Sequence, residues 1–285
     1  MIRERNSYWR IENVKRFAPI ACMASVCCVL SLTAAAMANS YDDDFSSATP
    51  KDQWNYLIDP PSGNANSLAQ YGGRLNVLST NTLASPTDIA DDALFISTPV
   101  STGFQMSTAA DFEIQAIYSF TNATLNSPGG AFSIVFGVGR DLDGTDSAAI
   151  GHIRAFGLSG FGVPDGNSVV AAWRSDDAQT QDFDVPDGTS GTFVISYDFA
   201  SDRLTLTDGS YSQVVPIDVR GAGGWNASDL YVSLGARGAG YTVVDGEAYF
   251  DSFTIVSGDV VPEPASVLLL LAGAGAILAR RRRTA

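Results

Sequence analysis

Glu113 and Glu247 are the two glutamates between Asn39 and Gly258, and paired carboxylates are the equipment of acid–base hydrolysis. A retaining glycosidase sets its two carboxyl groups about 5 Å apart. These two lie far apart in the chain, Glu113 on the outward face of a strand and Glu247 at the start of another, which are positions of solvated surface groups. His152 is the one histidine. It sits within Ile150-Gly-His-Ile-Arg-Ala-Phe156, inside an alternating strand pattern, and no Gly-x-Ser-x-Gly elbow accompanies it, so a structural or surface histidine is expected rather than nucleophilic catalysis. The expectation is therefore a protein with no catalytic residues, not an enzyme.

Two other constellations could bind a ligand. Asp141-Leu-Asp143-Gly144-Thr-Asp146 spaces carboxylates at alternate positions with a glycine at the bend, as oxygen-ligated calcium requires. It lacks the closing glutamate of an EF-hand, so it reads either as a hairpin loop rich in Asp and Gly or as a structural calcium site formed by Asp141, Asp143 and Asp146. Asp42, Asp43 and Asp44 make a second acidic cluster, expected to be solvated. Carbohydrate binding needs exposed aromatic platforms, for which Trp173, Trp225 and Tyr241 are candidates. Trp173 alternates with Val169 and Ala171 and belongs in the core, whereas Trp225 follows Gly221-Ala-Gly-Gly224 and is expected in an exposed loop.

The elements that position these residues are strands. Phe112, Ile114, Ala116, Tyr118 and Phe120 alternate with mostly polar neighbours, Ile117 being the exception. Phe193, Ile195, Tyr197 and Phe199 share a face, then Asp202 turns the chain back to Leu204 and Leu206 as a hairpin. Further strands are expected at 74–78, 93–97, 131–138, 149–156, 168–174, 230–234 and 247–256. No amphipathic helix separates them. The domain at 39–258 is thus expected to be all-β, an antiparallel two-sheet sandwich.

Both ends of the 285-residue chain read as processing segments. Arg3, Arg5, Arg10, Lys15 and Arg16 precede an apolar run from Phe17 to Ala36, closed by Ala36-Met37-Ala38, so a signal peptide is expected over 1–38. All three cysteines, Cys22, Cys27 and Cys28, fall within it. The domain must then be held by burial rather than disulfides. From Asn39 to Pro262 the chain carries eight Lys and Arg against 28 Asp and Glu, a net charge of −20, which repels nucleic acid and anionic lipid.

Residues 259–285 form the other end. Pro262-Glu263-Pro264 precedes the apolar stretch Ala265 to Ala279 and then Arg280, Arg281, Arg282 and Arg283. As a helix the stretch would be about 22 Å long at about 1.5 Å per residue, short of the ~30 Å hydrocarbon core. A short transmembrane helix is expected, with its arginines cytoplasmic and the acidic domain outside. The prolines keep Pro262-Glu263-Pro264 extended, an accessible peptide at the membrane surface.

This triplet, apolar stretch and arginine cluster resemble the PEP-CTERM sorting domain. The resemblance implies processing by an exosortase, an integral-membrane cysteine protease or transpeptidase, after signal peptidase has acted, in a Gram-negative bacterium that makes exopolysaccharide. It implies export, anchoring in the inner membrane facing the periplasm, then transfer to the outer surface or matrix. The middle resembles the concanavalin A-like lectin/glucanase jelly roll, through Asp44-Phe45, Trp54, Gly73-Arg74-Leu75 and the closing Ala248-Tyr-Phe-Asp-Ser-Phe253. In that fold the opening and closing strands lie side by side, and its glucanases carry Glu-x-Asp-x-x-Glu, which is missing between residues 39 and 258. Three functions remain open: a structural or adhesive protein of surface or biofilm matrix, a carbohydrate-binding module for extracellular polysaccharide, and a glycoside hydrolase.

Overall fold

The computed structural model describes residues 41–59, 66–80, 92–97, 103–126, 129–140, 145–176 and 178–262. The expected signal peptide, the apolar stretch 265–279, Glu263, Pro264 and Arg280 to Arg283 lie outside these residues. Among the described residues no helix is long and apolar enough to cross a membrane.

The strands are β1 (Asn55–Asp59), β2 (Asn66–Tyr71), β3 (Arg74–Thr80), β4 (Asp92–Ile96), β5 (Phe104–Ser107), β6 (Phe112–Phe120), β7 (Thr124–Leu125), β8 (Gly130–Gly139) and β9 (Ser147–Phe156). After a single 3-10 turn, Ser159–Phe161, follow β10 (Gly166–Ser175), β11 (Ala178–Asp184), β12 (Ser190–Asp198), β13 (Arg203–Asp208), β14 (Tyr211–Val214), β15 (Asp229–Ala239), β16 (Tyr241–Val243), β17 (Ala248–Ser257) and β18 (Val260–Pro262). They form two antiparallel sheets. Sheet I runs β1-β4-β15-β8-β9-β10-β11, with β5 on β15 and β18 on β5. Sheet II runs β14-β13-β12-β6-β17-β3-β16-β7, with β2 on β3.

Alternation along the strands makes the sandwich. Phe112, Ile114, Ala116, Tyr118 and Phe120 of β6 point into one core with Phe132, Ile134, Phe136 and Val138 of β8, while Ile117 faces solvent. Each fully buried large side chain contributes about 1.5–3 kcal/mol. The closing strand reaches the same core by a different route. In β17 the pairing to β6 shifts register between Phe250 and Ser252, leaving Asp251 as an extra residue, so that Phe250 and Phe253, at odd spacing, are both fully buried.

Opening and closing segments lie side by side, as expected: Asp43 bridges Phe253, and Asn76 and Leu75 of β3 pair with Tyr249 and Phe250. The acidic opening is not the solvated cluster expected of it. The Asp43 side chain is buried, accepting hydrogen bonds from Phe45 N–H and from Trp54 Nε1, both at 2.9 Å. Asp42 Oδ1 accepts from Ile255 N–H at 2.8 Å. A strand end without a partner of its own needs such side-chain acceptors, and only Asp44 of the three is exposed.

Candidate functional site

The two glutamates are held apart by the ladder between β6 and β17. Glu113 pairs with Ser257 at one end, and the N–H of Thr121, eight residues further along, donates to Glu247 O at the other. At about 3.4 Å per residue their backbones are about 27 Å apart. A glycosidase pair spans at most about 9.5 Å. Each is occupied locally: Glu113 accepts from Gln115 at 2.9 Å, and Glu247 accepts from Asn122 at 2.7 Å and from Val244 N–H at 2.9 Å.

His152 points into the sandwich rather than to a surface. It is fully buried, its ring edge-on to Phe120 and Tyr118 at centroid distances of 5.1 and 6.0 Å, and neither ring nitrogen has a hydrogen-bond partner among the described residues. Burial pushes its pKa down to about 4, so it is neutral at pH 7. Tyr118 stacks on Phe193 at 3.8 Å and donates to Asp208 Oδ2 at 2.6 Å. Burial raises the Asp208 pKa against the opposing effect of that bond.

At one end of sheet I, Asp146 is the one aspartate of the acidic run Asp141, Asp143 and Asp146 that lies among the described residues. Asp146 is buried; its Oδ2 is 3.0 Å from Arg140 Nη1, and its Oδ1 accepts from Asp176 N–H at 3.1 Å. Among the described residues no group of three or more metal-ligating side chains converges. The same arginine donates to Trp225 O at 2.7 Å. Trp225 is the correction here. The sequence predicts an exposed ring on a glycine-rich loop, but the ring is 0 % exposed and its Nε1 donates to Arg174 O at 2.9 Å. A tryptophan whose N–H reaches a backbone carbonyl can be buried whole, and this one staples the β14–β15 loop to the end of β10. Tyr241 and Trp173 are also buried.

A surface that the motifs did not reveal lies on the outer face of sheet I. With Phe132, Ile134, Phe136 and Val138 turned inward, β8 presents Ser133, Val135 and Gly137 outward. The ladder aligns Gly235, Val135, Gly151 and Val170 in one row across β15, β8, β9 and β10, and Ser233, Gly137, Ala149 and Ala172 in the next. These four strands span about 14 Å at about 4.8 Å apiece.

The floor is closed at both ends. Tyr231 lies across Gly139, where an added Cβ would meet its hydroxyl at 2.6 Å, while Leu158 and Val163 of the β9–β10 loop pack on Ala131 and Ala155. Polar groups stand around it: Arg237 Nε is 2.8 Å from Asp92 Oδ1, and Arg174 Nη2 donates to Gln179 at 2.9 Å. The row of Gly235, Val135, Gly151 and Val170 is itself buried, as is Gly137, so the part-exposed floor is made by Ser233, Ala149 and Ala172, small side chains with one hydroxyl among them. The sequence signal for it was the run of small residues at alternate positions of β8, β9 and β15.

Of the expected extended peptide Pro262-Glu263-Pro264 only Pro262 lies among the described residues, and it is paired rather than free: β18 lies on β5 over Val260 to Pro262. A short edge strand whose neighbour has open N–H and C=O groups is drawn onto it.

Solved structures similar to this chain include lectins and glycoside hydrolases. A glycoside hydrolase family 16 endo-glucanase from Bacteroides ovatus is 15% identical, with 76% of this chain and 100% of that one covered and a TM-score of 0.46. The lectin UEA-II, complexed with galactose, is 13% identical over 78% and 98% of the two chains, with a TM-score of 0.48. Peanut lectin with a nine-residue peptide is 11% identical over 76% and 97%, with a TM-score of 0.45. No curated protein matches the chain by sequence. The family described as the PEP-CTERM protein-sorting motif matches residues 260–283, and the chain carries that motif from the last strand of its two-sheet domain onward.

Proposed function

We propose that this protein is a non-catalytic component of the bacterial surface or extracellular matrix, exported, processed by an exosortase, and structural or adhesive within exopolysaccharide or biofilm. The observation that carries the reading is the sorting motif, whose first residues are the last strand of the domain. Use of the carboxylates supports the non-catalytic part: Glu247, Asp43, Asp146 and Asp202 each accept hydrogen bonds that fix a turn, a loop or a strand end, and Glu113 accepts from its strand neighbour Gln115. Fractionation of the native host tests it. The protein is expected to remain with the polymer in a strain that makes exopolysaccharide and to be free in the medium when polymer synthesis is deleted. Protein free in the medium of the polymer-making strain would remove the reading.

The floor on sheet I favours a second role, binding of a polysaccharide chain. A sugar ring has an apolar face and an equatorial rim of hydroxyls, which complements small side chains bordered by arginine, aspartate, glutamine and serine. Ala172 is part-exposed on that floor, and Ala172→Arg fills it without entering the core. A glycan array on the domain should show binding that this variant loses. An empty array would leave the matrix role without direct sugar contact.

A further inference from the structure

The sorting motif begins inside the fold. Its match starts at residue 260, and β18 pairs with β5 in the register Val260↔Met106, Val261↔Gln105, Pro262↔Phe104. Ser107 N–H donates to Asp259 O at 2.9 Å, so that pair is hydrogen-bonded and, by antiparallel alternation, Val261 and Gln105 form the next bonded pair. Pro262 then stands at a non-bonded position opposite Phe104, whose own N–H turns the other way, to Ser97 O at 2.8 Å. The proline therefore loses no ladder bond by lacking an N–H.

The approach to β18 is equally fixed. Gly258 has φ +114° and an ideal Cβ there would lie 2.4 Å from Phe112 Cβ, so the backbone is pressed against the start of β6. Val260 packs against the main core.

A protease takes its substrate as an extended chain with main-chain groups free to pair with the enzyme, and it cuts paired segments only from opened states. We propose that β18 sets the processing boundary: the cut that frees the domain from its tail falls beyond Pro262, and β18 remains on β5 as the C-terminal strand of the released domain. This rests on the exosortase reading above. One peptide bond breaks. Its carbonyl carbon passes from the departing amine to the enzyme's nucleophile and then to water or to an amine of a surface polymer, with no change of oxidation state. The tail leaves with the new amino terminus. The domain keeps every ladder it has, because the bonds from Ser107 and Gln105 to the last strand lie upstream of the cut.

The test is the intact mass of the full chain recovered from the native host with and without its exosortase, joined to native-state proteolysis of the purified full chain by proteinase K. An exosortase-dependent species whose last residue is Pro262 or a later one is expected. An exosortase-dependent species ending before Pro262 overturns the boundary and leaves the sorting reading intact. The same C-terminus in both strains overturns the sorting reading, and the boundary is then decided by proteinase K alone, which is expected to trim the tail and stop after Pro262. Cutting between Gly258 and Pro262 overturns it. Gln105→Pro removes the N–H that faces Val261, and Val260→Asp withdraws the strand from the core without touching β5. Both variants must move the proteinase K stop inward of Pro262, to the freed segment that begins at Gly258 after the β17 ladder, and a stop that stays at Pro262 in either overturns the proposal.

Discussion

Asp43 and Phe253 exchange two backbone hydrogen bonds, at 2.9 and 2.7 Å, and so fasten the opening segment of the domain to its last long strand. The Asp43 carboxylate secures the joint from within, holding Phe45 N–H and the Trp54 indole, whose ring meets Phe253 edge-on at 5.3 Å. Asp43→Ala strands two buried donors and should cost about 3 kcal/mol. For a domain of this size that is a melting point lower by about 6–12 °C. A thermal melt by circular dichroism decides it, and a variant melting with the wild type would mean that the joint contributes nothing.

His152 gives the domain an acid limb. The unfolded chain protonates this residue near 6.5 and the folded chain only near 4, so between those values the unfolded state binds more protons and stability falls as pH falls. The loss at pH 4 is about 3 kcal/mol. Asp208 acts in the opposite sense: burial raises its pKa above 3.8, so the folded state gains relative stability as its carboxyl protonates. His152→Leu should flatten the decline between pH 6.5 and 4 in urea titrations. An unchanged slope would assign the decline to other groups.

Trp225→Ala should lower stability by about 3–5 kcal/mol, because it empties a fully buried site and frees Arg174 O at the loop junction. Trp225→Phe keeps most of the volume and loses the indole bond, costing about 1–2 kcal/mol. Urea titration measures both. A variant that loses sugar binding at full stability would restore Trp225 as a ligand contact.

Calcium would have to compete with Arg140 for Asp146 Oδ2 and displace the Asp176 N–H from Oδ1. Melting with excess chelator and with millimolar calcium should therefore agree within 1–2 °C, on the order of 0.5 kcal/mol. A calcium-dependent rise of several degrees would show Asp141, Asp143 and Asp146 converging on the ion.

Gly258→Ala should destabilise the corner between β17 and β18, since the new methyl meets Phe112 and the φ of +114° is one that L side chains avoid. A cost of about 2 kcal/mol or more is expected, together with faster amide exchange at Val261 than in the wild type. Exchange at the wild-type rate would mean that β18 docks independently of the corner.

The long strands were legible because each has one wet and one dry face. The alternation of β6 survives with Ile117 outward, and the hairpin of β12 and β13 turns at Asp202, which adopts φ +57°. Phe199 departs from the expected face because β12 ends at Asp198; its ring is 40 % exposed beneath the Arg220 guanidinium at 3.8 Å. Arg220 also binds Tyr197 and Asp202, and it could not be foreseen, since the contact closes a loop of about twenty residues. Burial pushes the Tyr197 pKa up to about 12. Asp202, although burial works to raise it, is held below the ordinary carboxylate value by bonds from Tyr197, Arg220 and Gly221.

Short edge strands were not legible. In β11, Ala-Gln-Thr-Gln-Asp-Phe-Asp, six of seven side chains are exposed, so nothing alternates and only the backbone ladder to β10 makes the strand. The floor on sheet I escaped notice for a related reason: small residues on an outward face leave the same mark as a strand buried on both sides. Trp225 was misplaced because glycines nearby describe the backbone, not where a ring turns.

The three-residue β18 also governs how the domain bears a load. A pull on the tail acts first on the three pairs with β5, and releasing them yields about 10 Å of slack. Further in, the force meets the long ladder between β17 and β6, closed by the bridge from Asp43. Under tension β18 would thus be a fuse, lengthening the tail while the long ladders of both sheets stay shut, and re-forming when the pull ends.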